Sequence, residues 1–220
     1  MSKNIAVLLS GCGVFDGSEI HEAVASLIAL SKAGVSVQII APNINQHHVI
    51  NHLTGEEMNE QRNVLVEAAR IARGSIMNIT DIKVEDYDAL FIPGGFGAAK
   101  NLSSFAFEGP SGTIDSSVKK LIQAFHQAGK PIGAVCIAPA LLALALNKGS
   151  LTIGSDQGTA DALEQLGANH TVCSVTEALV DRENKLVTAP AYMEDAKIHE
   201  VAEGIEKSVQ AVLALCDDTP

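Results

Sequence analysis

The amino-acid sequence predicts a single α/β domain in which a mostly parallel β-sheet carries helices on both faces. Short, continuously apolar runs at residues 5–9, 89–92 and 131–136 are typical of strands that are buried on both sides in a parallel sheet. Stretches with the helical spacing of apolar residues separate these runs, as β-α-β units require. One of the strands also passes directly into a helix at a cysteine, Cys136.

The composition of the 220-residue chain limits the classes of function. Hydrophobic residues make up 47% and charged residues 19%, which is typical of a globular protein with a full core. A formal net charge of −11 argues against a nucleic-acid partner, because phosphate binding needs clustered Lys and Arg. The first apolar run is too short for a signal peptide or a membrane span. We therefore expect a cytoplasmic protein with no membrane partner; the alternative is an organelle presequence upstream of Met1.

The first β-α-β unit occupies residues 5–40. Its first strand enters a glycine-rich loop, and the spacing of Asp16 and Glu19 predicts a capping box for a helix that ends at Gly34. Residues 35–40 predict the second strand, which should be reached by a right-handed crossover.

A polar segment at residues 43–59 interrupts this pattern and contains His47, His48 and His52. On a helix, the spacing of His48 and His52 would place two imidazoles on one face, as metal binding needs. No carboxylate or cysteine has an obvious matching position. We therefore favour a solvated loop and expect no metal.

The strand at residues 89–92 ends in the cluster Pro93-Gly94-Gly95-Phe96-Gly97. Glycines at the carboxyl end of a strand allow backbone N–H groups to face a ligand without an intervening Cβ. The cluster therefore predicts part of an oxyanion site. A flexible turn is the alternative interpretation.

The remaining elements follow from apolar spacing and from glycine positions. The helix after Cys136 is apolar all round, which predicts a central, buried position. The other predictions are helices at 60–73, 115–128, 161–166 and 195–215, a loop at 103–114, and strands at 76–79, 171–175 and 186–188.

Cys136 has alanines, Ala134 and Ala138, as both second neighbours. A sharp strand-to-helix turn that exposes one side chain requires small neighbours, so the pattern predicts a nucleophile elbow. The helix N-terminus would stabilise a thiolate, and N–H groups beginning with that of Ile137 would face an oxyanion beside the sulfur. The alternative is a buried structural cysteine. The four cysteines lie far apart, which predicts neither a disulfide framework nor a zinc site.

These motifs together resemble the ThiJ/PfpI superfamily, whose fold is like that of class I glutamine amidotransferase domains. Within it, the sequence is similar to the enhancing-lycopene-biosynthesis group, which is described as glyoxalase-like. The resemblance covers essentially the whole chain and implies one flavodoxin-like α/β domain over residues 1–220. The matching segments are Ser10-Gly11-Cys12-Gly13, Asp16-Gly17-Ser18-Glu19-Ile20-His21-Glu22, Pro93-Gly94-Gly95-Phe96-Gly97-Ala98-Ala99-Lys100-Asn101-Leu102 and Cys136-Ile137-Ala138-Pro139.

The resemblance implies that Cys136 is the nucleophile and that a glutamate of the first helix hydrogen-bonds its sulfur. Counting back from Gly34 favours Glu22, with Glu19 second because the capping box already uses it. A thiolate and a carboxylate in contact do not both ionise. The helix N-terminus and the nearby N–H groups favour the charge on the sulfur. We therefore expect a protonated Glu22 and a Cys136 pKa below its ordinary value.

By the same resemblance, the backbone N–H groups of Gly95 and Ile137 would hold an oxyanion, with Gly94 beside them. Many members of the superfamily carry a histidine directly after the nucleophile or in a later strand, and this chain does not. His170 and His21 are the remaining histidine candidates, although the sequence directs neither at the cysteine. This departure argues against a cysteine–histidine protease or amidase.

The first functional hypothesis is a glyoxalase of low activity that needs no cofactor, with a small dicarbonyl as its partner and a homodimer as its state. Cys136 would add to glyoxal, Glu22 would move a proton between the two carbons, and water would release glycolate. Repair of early glycation adducts is a possible extension. The alternative is a thiol sensor or a modulator of isoprenoid metabolism in which Cys12 and Cys136 lie close together. A hydrolytic function ranks third.

Overall fold

Strands and helices are interspersed along residues 2–218, which the computed structural model describes. The strands are β1 (Asn4–Leu8), β2 (Ser36–Ala41), β3 (Val49–Ile50), β4 (Glu57–Met58), β5 (Met77–Asn78), β6 (Ala89–Ile92), β7 (Ile132–Val135), β8 (Ser150–Leu151), β9 (Asn169–His170), β10 (Leu179–Asp181) and β11 (Leu186–Ala189). The helices are α1 (Ile20–Lys32), α2 (Val64–Ile71), α3 (Phe96–Lys100), α4 (Phe105–Glu108), α5 (Ser116–Gln127), α6 (Pro139–Leu146), α7 (Gln157–Gln165) and α8 (Ile198–Asp217).

Seven of these strands form the central sheet, in the order β10-β11-β7-β6-β1-β2-β5. Neighbouring strands pair in parallel, except that β10 runs antiparallel to β11 at one edge. This arrangement confirms the predicted α/β sandwich with a mostly parallel sheet.

The core lies on both faces of the sheet because successive strand residues point in opposite directions. On β6, Leu90 and Ile92 pack in a cluster with Phe125 of α5, whereas Phe91 packs in the opposite cluster with Leu30 of α1. All of these side chains are fully buried. Helix α6 is buried on every side, as its uniform apolarity predicted.

The order of the strands positions the candidate site. Strands β7, β6 and β1 are neighbours, so the segments that follow their carboxyl ends meet at one edge of the sheet. These segments are the elbow at Cys136, the glycine cluster after β6 and the glycine-rich loop after β1. Parallel pairing therefore brings together three motifs that are far apart in the sequence.

The start of α1 differs from the prediction. Its N-cap is Glu19, whose side chain accepts a hydrogen bond from the N–H of Glu22 at 2.6 Å. Asp16 lies buried in the preceding loop and instead accepts a hydrogen bond from the N–H of Ile50 at 2.8 Å. The predicted capping box is therefore wrong, because Asp16 is used by a tertiary contact across the loop.

The bounds of several other helices and strands also differ from the predictions. Residues 103–114 contain the short helix α4, and α7 begins four residues before the predicted position because Asp156 caps it. In the described part of the chain, residues 171–175 form no strand, whereas the three-residue strand β10 was missed. Short edge segments carry too few residues for a clear apolar period, which explains both errors.

Helix α8 packs closely against the backbone of Val175 at Gly204, and this contact can be tested through stability. A Cβ at Gly204 would collide with the carbonyl oxygen of Val175, whereas a Cβ at Gly158 of α7 would meet only Asp156 Oδ2, at 3.8 Å. We expect Gly204→Ala to lower the free energy of unfolding by about 1–3 kcal/mol through overpacking. Gly158→Ala should leave it unchanged or raise it by up to about 1 kcal/mol through helix propensity. Urea unfolding measures both, and equal effects would contradict the packing at Gly204.

Candidate functional site

Cys136 lies at the turn between β7 and α6 in a backbone conformation that is rare for a residue with a side chain. Its φ is +61°, in the left-handed region. Its N–H donates to the carbonyl oxygen of Ala189 in β11 at 3.0 Å, which anchors the turn to the sheet. The side chain is only 7% exposed. Strained backbone of this kind persists where the surrounding structure holds it, and it is common at functional sites.

The structure brings Glu22 of α1 to the Cys136 thiol. The Glu22 side chain is fully buried beside the Cys136 thiol, and the interaction between the two side chains affects the pKa of both. Its Oε2 accepts from the N–H of Gly94 at 2.9 Å, and its Oε1 accepts from the N–H of Tyr192 at 3.2 Å. The carboxyl group is therefore fixed by two backbone donors from separate segments.

Two backbone N–H groups, those of Gly95 and Ile137, lie close enough to the Cys136 sulfur to lower the pKa of its thiol. They come from the two segments that the sequence predicted for an oxyanion site. Gly95 has φ +98° and ψ 153°, a combination that is essentially restricted to glycine. This backbone conformation places the N–H of Gly95 beside the sulfur.

Gly94 has no room for a side chain. A Cβ there would lie 2.6 Å from Oε2 of Glu22 and 2.9 Å from Sγ of Cys136, so these two atoms surround the same point. Hydrogen bonds also lock the cluster against the loop after β1: the N–H of Glu19 donates to Gly94 at 3.0 Å, and that of Gly97 donates to Gly17 at 2.8 Å. Glycine at position 94 is what allows the thiol and the carboxyl group to meet.

Burial controls the protonation of this pair. Burial, with a smaller contribution from the charge of Glu19, raises the pKa of Glu22 from 4.5 to about 7. Burial and the neighbouring Glu22 carboxylate raise the pKa of the Cys136 thiol well above its ordinary value, and the N–H groups of Gly95 and Ile137 offset only part of this. The predicted low thiol pKa is therefore wrong, because the depth of the site outweighs its N–H donors.

Beside Cys136 the site opens into a cavity of about 570 Å³. Its lining is mostly apolar, with a few polar residues. The lining residues are Val14, Glu19, Gly95, Phe96, Ala99, Phe105, Ala106, Gly109, Cys136, Ile137, Asp156, Gly158, Thr159, Ala162, Tyr192 and Met193.

Glu19, the second candidate glutamate, lines this cavity but has a different structural role. Its Oε2 accepts the hydrogen bond from the N–H of Glu22, which fixes the first turn of α1. Glu19 therefore holds the backbone of Glu22, and Glu22 is the glutamate whose carboxyl group lies beside the thiol.

Sequence reasoning missed Tyr192. It lies in the single 3₁₀ turn that follows β11, where Ala191 has φ +47°. Its N–H binds Glu22, and its hydroxyl lies 2.9 Å from Nδ1 of His21. His21 is therefore a neighbour of Tyr192. The one available signal was the position of this tyrosine, directly after the strand beside β7.

The other candidates lie away from the cavity lining. Nε2 of His170 accepts a hydrogen bond from the N–H of Ile153 at 3.4 Å. Cys12 is half-buried, its pKa is raised by burial, and the charged groups that act on it are Arg70, Glu67 and Asp16. The structure does not bring Cys12 or His170 to the Cys136 site.

The histidine-bearing segment forms the β3–β4 hairpin and its flanks, not a helix. His48 Nε2 lies 3.1 Å from Nζ of Lys100, and the ring of His52 packs on Phe15 with centroids 4.9 Å apart. Across residues 2–218, no three His, Cys, Asp or Glu side chains are grouped as a metal site. Within the same residues, no helix combines the length and apolarity needed to cross a membrane.

The fold and the cysteine elbow define an amidotransferase-like α/β protein. The model of the DJ-1/PfpI family matches residues 12–198, and the chain therefore belongs to the DJ-1/PfpI family. This confirms the superfamily that the motifs indicated.

Comparison with known proteins adds relatives at two levels of similarity. The human glutamine amidotransferase-like class 1 domain-containing protein 3, mitochondrial, is 48% identical over 97% of this chain and 84% of its own length. A crystal structure of an isoprenoid biosynthesis protein with an amidotransferase-like domain from Ehrlichia chaffeensis is 39% identical, with a TM-score of 0.90 over 96% of this chain and 99% of that one. Glyoxalase III from Candida albicans has a TM-score of 0.61 over 97% of both chains but only 17% identity, which shows a shared fold alone.

The names of these relatives correct the expected location. The human protein and two ES1 proteins, from rat at 48% identity and zebrafish at 34%, are all named mitochondrial. They point to a mitochondrial location and contradict the cytoplasmic prediction.

The raised pKa of Glu22 predicts a specific dependence of stability on pH. A carboxyl group whose pKa rises from 4.5 to about 7 on folding stabilises the protein fully below pH 4.5, and this contribution is lost as the pH rises through 7. Glu22→Gln removes the titration. The free energy of unfolding of the variant, relative to wild type, should therefore rise by about 2 kcal/mol between pH 5 and pH 8.

Urea unfolding at several pH values measures this difference. The control is Glu164→Gln, at an exposed position on α7, which should follow the wild-type pH profile. A constant offset between Glu22→Gln and wild type across this range would show that Glu22 titrates normally.

Proposed function

We propose that this protein is a cofactor-independent glyoxalase that converts glyoxal to glycolate through a covalent adduct on Cys136. The observation that carries the proposal is the buried position of Glu22 beside the Cys136 thiol, with two backbone N–H groups at the same sulfur. A nucleophile, an acid–base group and an oxyanion site are thus within reach of one reacting carbon.

In the first step, the Glu22 carboxylate takes the thiol proton while Sγ bonds to one aldehyde carbon of glyoxal. This general-base route suits a thiol whose pKa is raised, since no standing thiolate is needed. Negative charge develops on the aldehyde oxygen, where the N–H groups of Gly95 and Ile137 stabilise it. Glu22 then gives the thiol proton to this oxygen, so that the product is a hemithioacetal and Glu22 is again a carboxylate.

In the second step, Glu22 removes the hydrogen of the sulfur-bearing carbon as a proton and returns it to the neighbouring carbon. The enediol formed between these transfers collapses to a thioester of glycolate. Water cleaves the thioester, releases glycolate and restores the thiol. One carbon of glyoxal is oxidised and the other is reduced. The net reaction of one glyoxal with one water to give one glycolate therefore needs no external oxidant or reductant. A pKa near 7 suits Glu22 to both directions of transfer.

A role in isoprenoid metabolism is the second candidate. The Ehrlichia chaffeensis protein at 39% identity is named for isoprenoid biosynthesis, and the likeness covers nearly the whole chain. Such a role is compatible with the same chemistry. A redox sensor that joins Cys12 to Cys136 has less support, because Cys12 is not among the residues that line the Cys136 cavity.

The nucleophile is tested by replacing cysteines one at a time. Cys136→Ala should abolish glycolate formation from glyoxal, because no covalent adduct forms, and should leave the fold intact. Cys12→Ala should retain wild-type turnover. Glycolate is quantified by chromatography, and folding is checked by circular dichroism. Activity that survives in Cys136→Ala but disappears in Cys12→Ala would show that Cys12, and not Cys136, is the nucleophile.

The acid–base role of Glu22 is tested through the pH profile. In wild type, kcat/KM for glyoxal should rise with pH through about 7, as Glu22 becomes able to accept the thiol proton. Glu22→Gln should lower kcat/KM by about 10²–10⁴-fold and remove this rise. An unchanged pH profile in the Gln variant would refute the assignment.

A further inference from the structure

The cavity beside Cys136 is much larger than glyoxal. Its volume is about 570 Å³. Glyoxal has four non-hydrogen atoms and occupies roughly the space of three waters, or ~90 Å³ at ~30 Å³ per water. Most of the cavity therefore lies beyond the reach of the proposed substrate.

Most of the residues that line the cavity are apolar. Phe96 of α3, Phe105 and Ala106 of α4, Ala162 of α7 and Met193 of the turn after β11 form its walls. Water gains little from such walls, whereas an apolar group that displaces it is stabilised in proportion to the area buried. The walls therefore suit a hydrophobic substituent attached to the reacting carbonyl compound.

The charged residues that line the cavity are of one sign. Two acidic residues, Glu19 and Asp156, line it, and no described lining residue is Lys, Arg or His. Glu22 lies buried beside the sulfur as a third acid. Lys100 lies over the ring of Phe96, with Nζ 4.8 Å from the ring centroid, but it is not part of the described lining. An anionic substituent would therefore contact acids and no cation of the lining, which costs binding free energy. The same repulsion favours release of a carboxylate product.

Building on the proposed function, we infer that the preferred substrate is a 2-oxoaldehyde whose ketone carbon carries a neutral, apolar substituent of about the size of a phenyl ring. Cys136 bonds to the aldehyde carbon, and the hydrogen of that carbon moves as a proton to the ketone carbon. Water then cleaves the thioester and releases a 2-hydroxy acid. One oxoaldehyde and one water give one hydroxy acid, as for glyoxal.

Steady-state kinetics with a substrate series tests the apolar preference. Wild type should turn over phenylglyoxal with a kcat/KM at least about tenfold above that for glyoxal, since each buried carbon is worth up to about fourfold. The methyl ester of 4-carboxyphenylglyoxal should be at least tenfold better than the free acid, which has nearly the same shape but carries a negative charge. Equal values within either pair would overturn the inference.

A pair of matched variants locates the preference in the cavity. Ala106 is exposed on α4 and borders the cavity, so Ala106→Leu adds bulk there without overpacking the core. It should lower kcat/KM for phenylglyoxal about tenfold more than that for glyoxal. Ala214→Leu, at an exposed position on α8 outside the cavity lining, should change neither. An equal loss with both substrates, or a loss with neither, would contradict the assigned position of the substituent.

A binding measurement separates this inference from the proposed function. Calorimetry on Cys136→Ala compares mandelamide with mandelate, which share a phenyl ring and differ in charge. Mandelamide should bind at least tenfold more tightly. If mandelamide binds more tightly while wild type turns over no oxoaldehyde, the glyoxalase proposal and the oxoaldehyde substrate both fail, and only the selectivity of the cavity for neutral, apolar groups stands. If glyoxal is turned over but neither compound binds, the inference fails and the glyoxalase proposal stands.

Discussion

The structure of the site depends on one buried contact, that between the Cys136 thiol and the Glu22 carboxyl group. Two ionisable groups in a fully buried position are costly unless each has partners, and here the partners are backbone N–H groups. Those donors come from Gly94, Gly95, Ile137 and Tyr192, in three separate chain segments. The loops around the site are therefore held in place by the requirement to satisfy this pair.

The absence of a side chain at Gly94 makes this contact possible. The point that a Cβ would occupy there lies within 3 Å of both the sulfur and the carboxyl oxygen. The neighbouring Gly95 supplies a backbone conformation that other residues rarely adopt, and this turns its N–H toward the sulfur. Local backbone chemistry thus determines the electrostatics of the site, because N–H groups partly offset the cost of burial.

The Cys136–Glu22 pair and the cavity walls contact different parts of a substrate. The pair and its N–H donors act on the reacting carbon, whereas the apolar walls from α3, α4 and α7 contact whatever that carbon carries. The residues that form these walls lie in short segments of the chain. One of these segments is α4, which lies in a stretch predicted as a loop.

The sequence by itself determined the elements and motifs whose signals are local. Continuous apolar runs identified β1, β6 and β7, and the small neighbours of Cys136 identified the elbow, because both follow from periodicity and side-chain size. Only the tertiary structure decided the cap of α1, where Asp16 is drawn to Ile50, and the position of Tyr192. It also decided the protonation of the pair: the sequence indicated the donors that lower the thiol pKa, but burial, which raises it, depends on every element packed around the site.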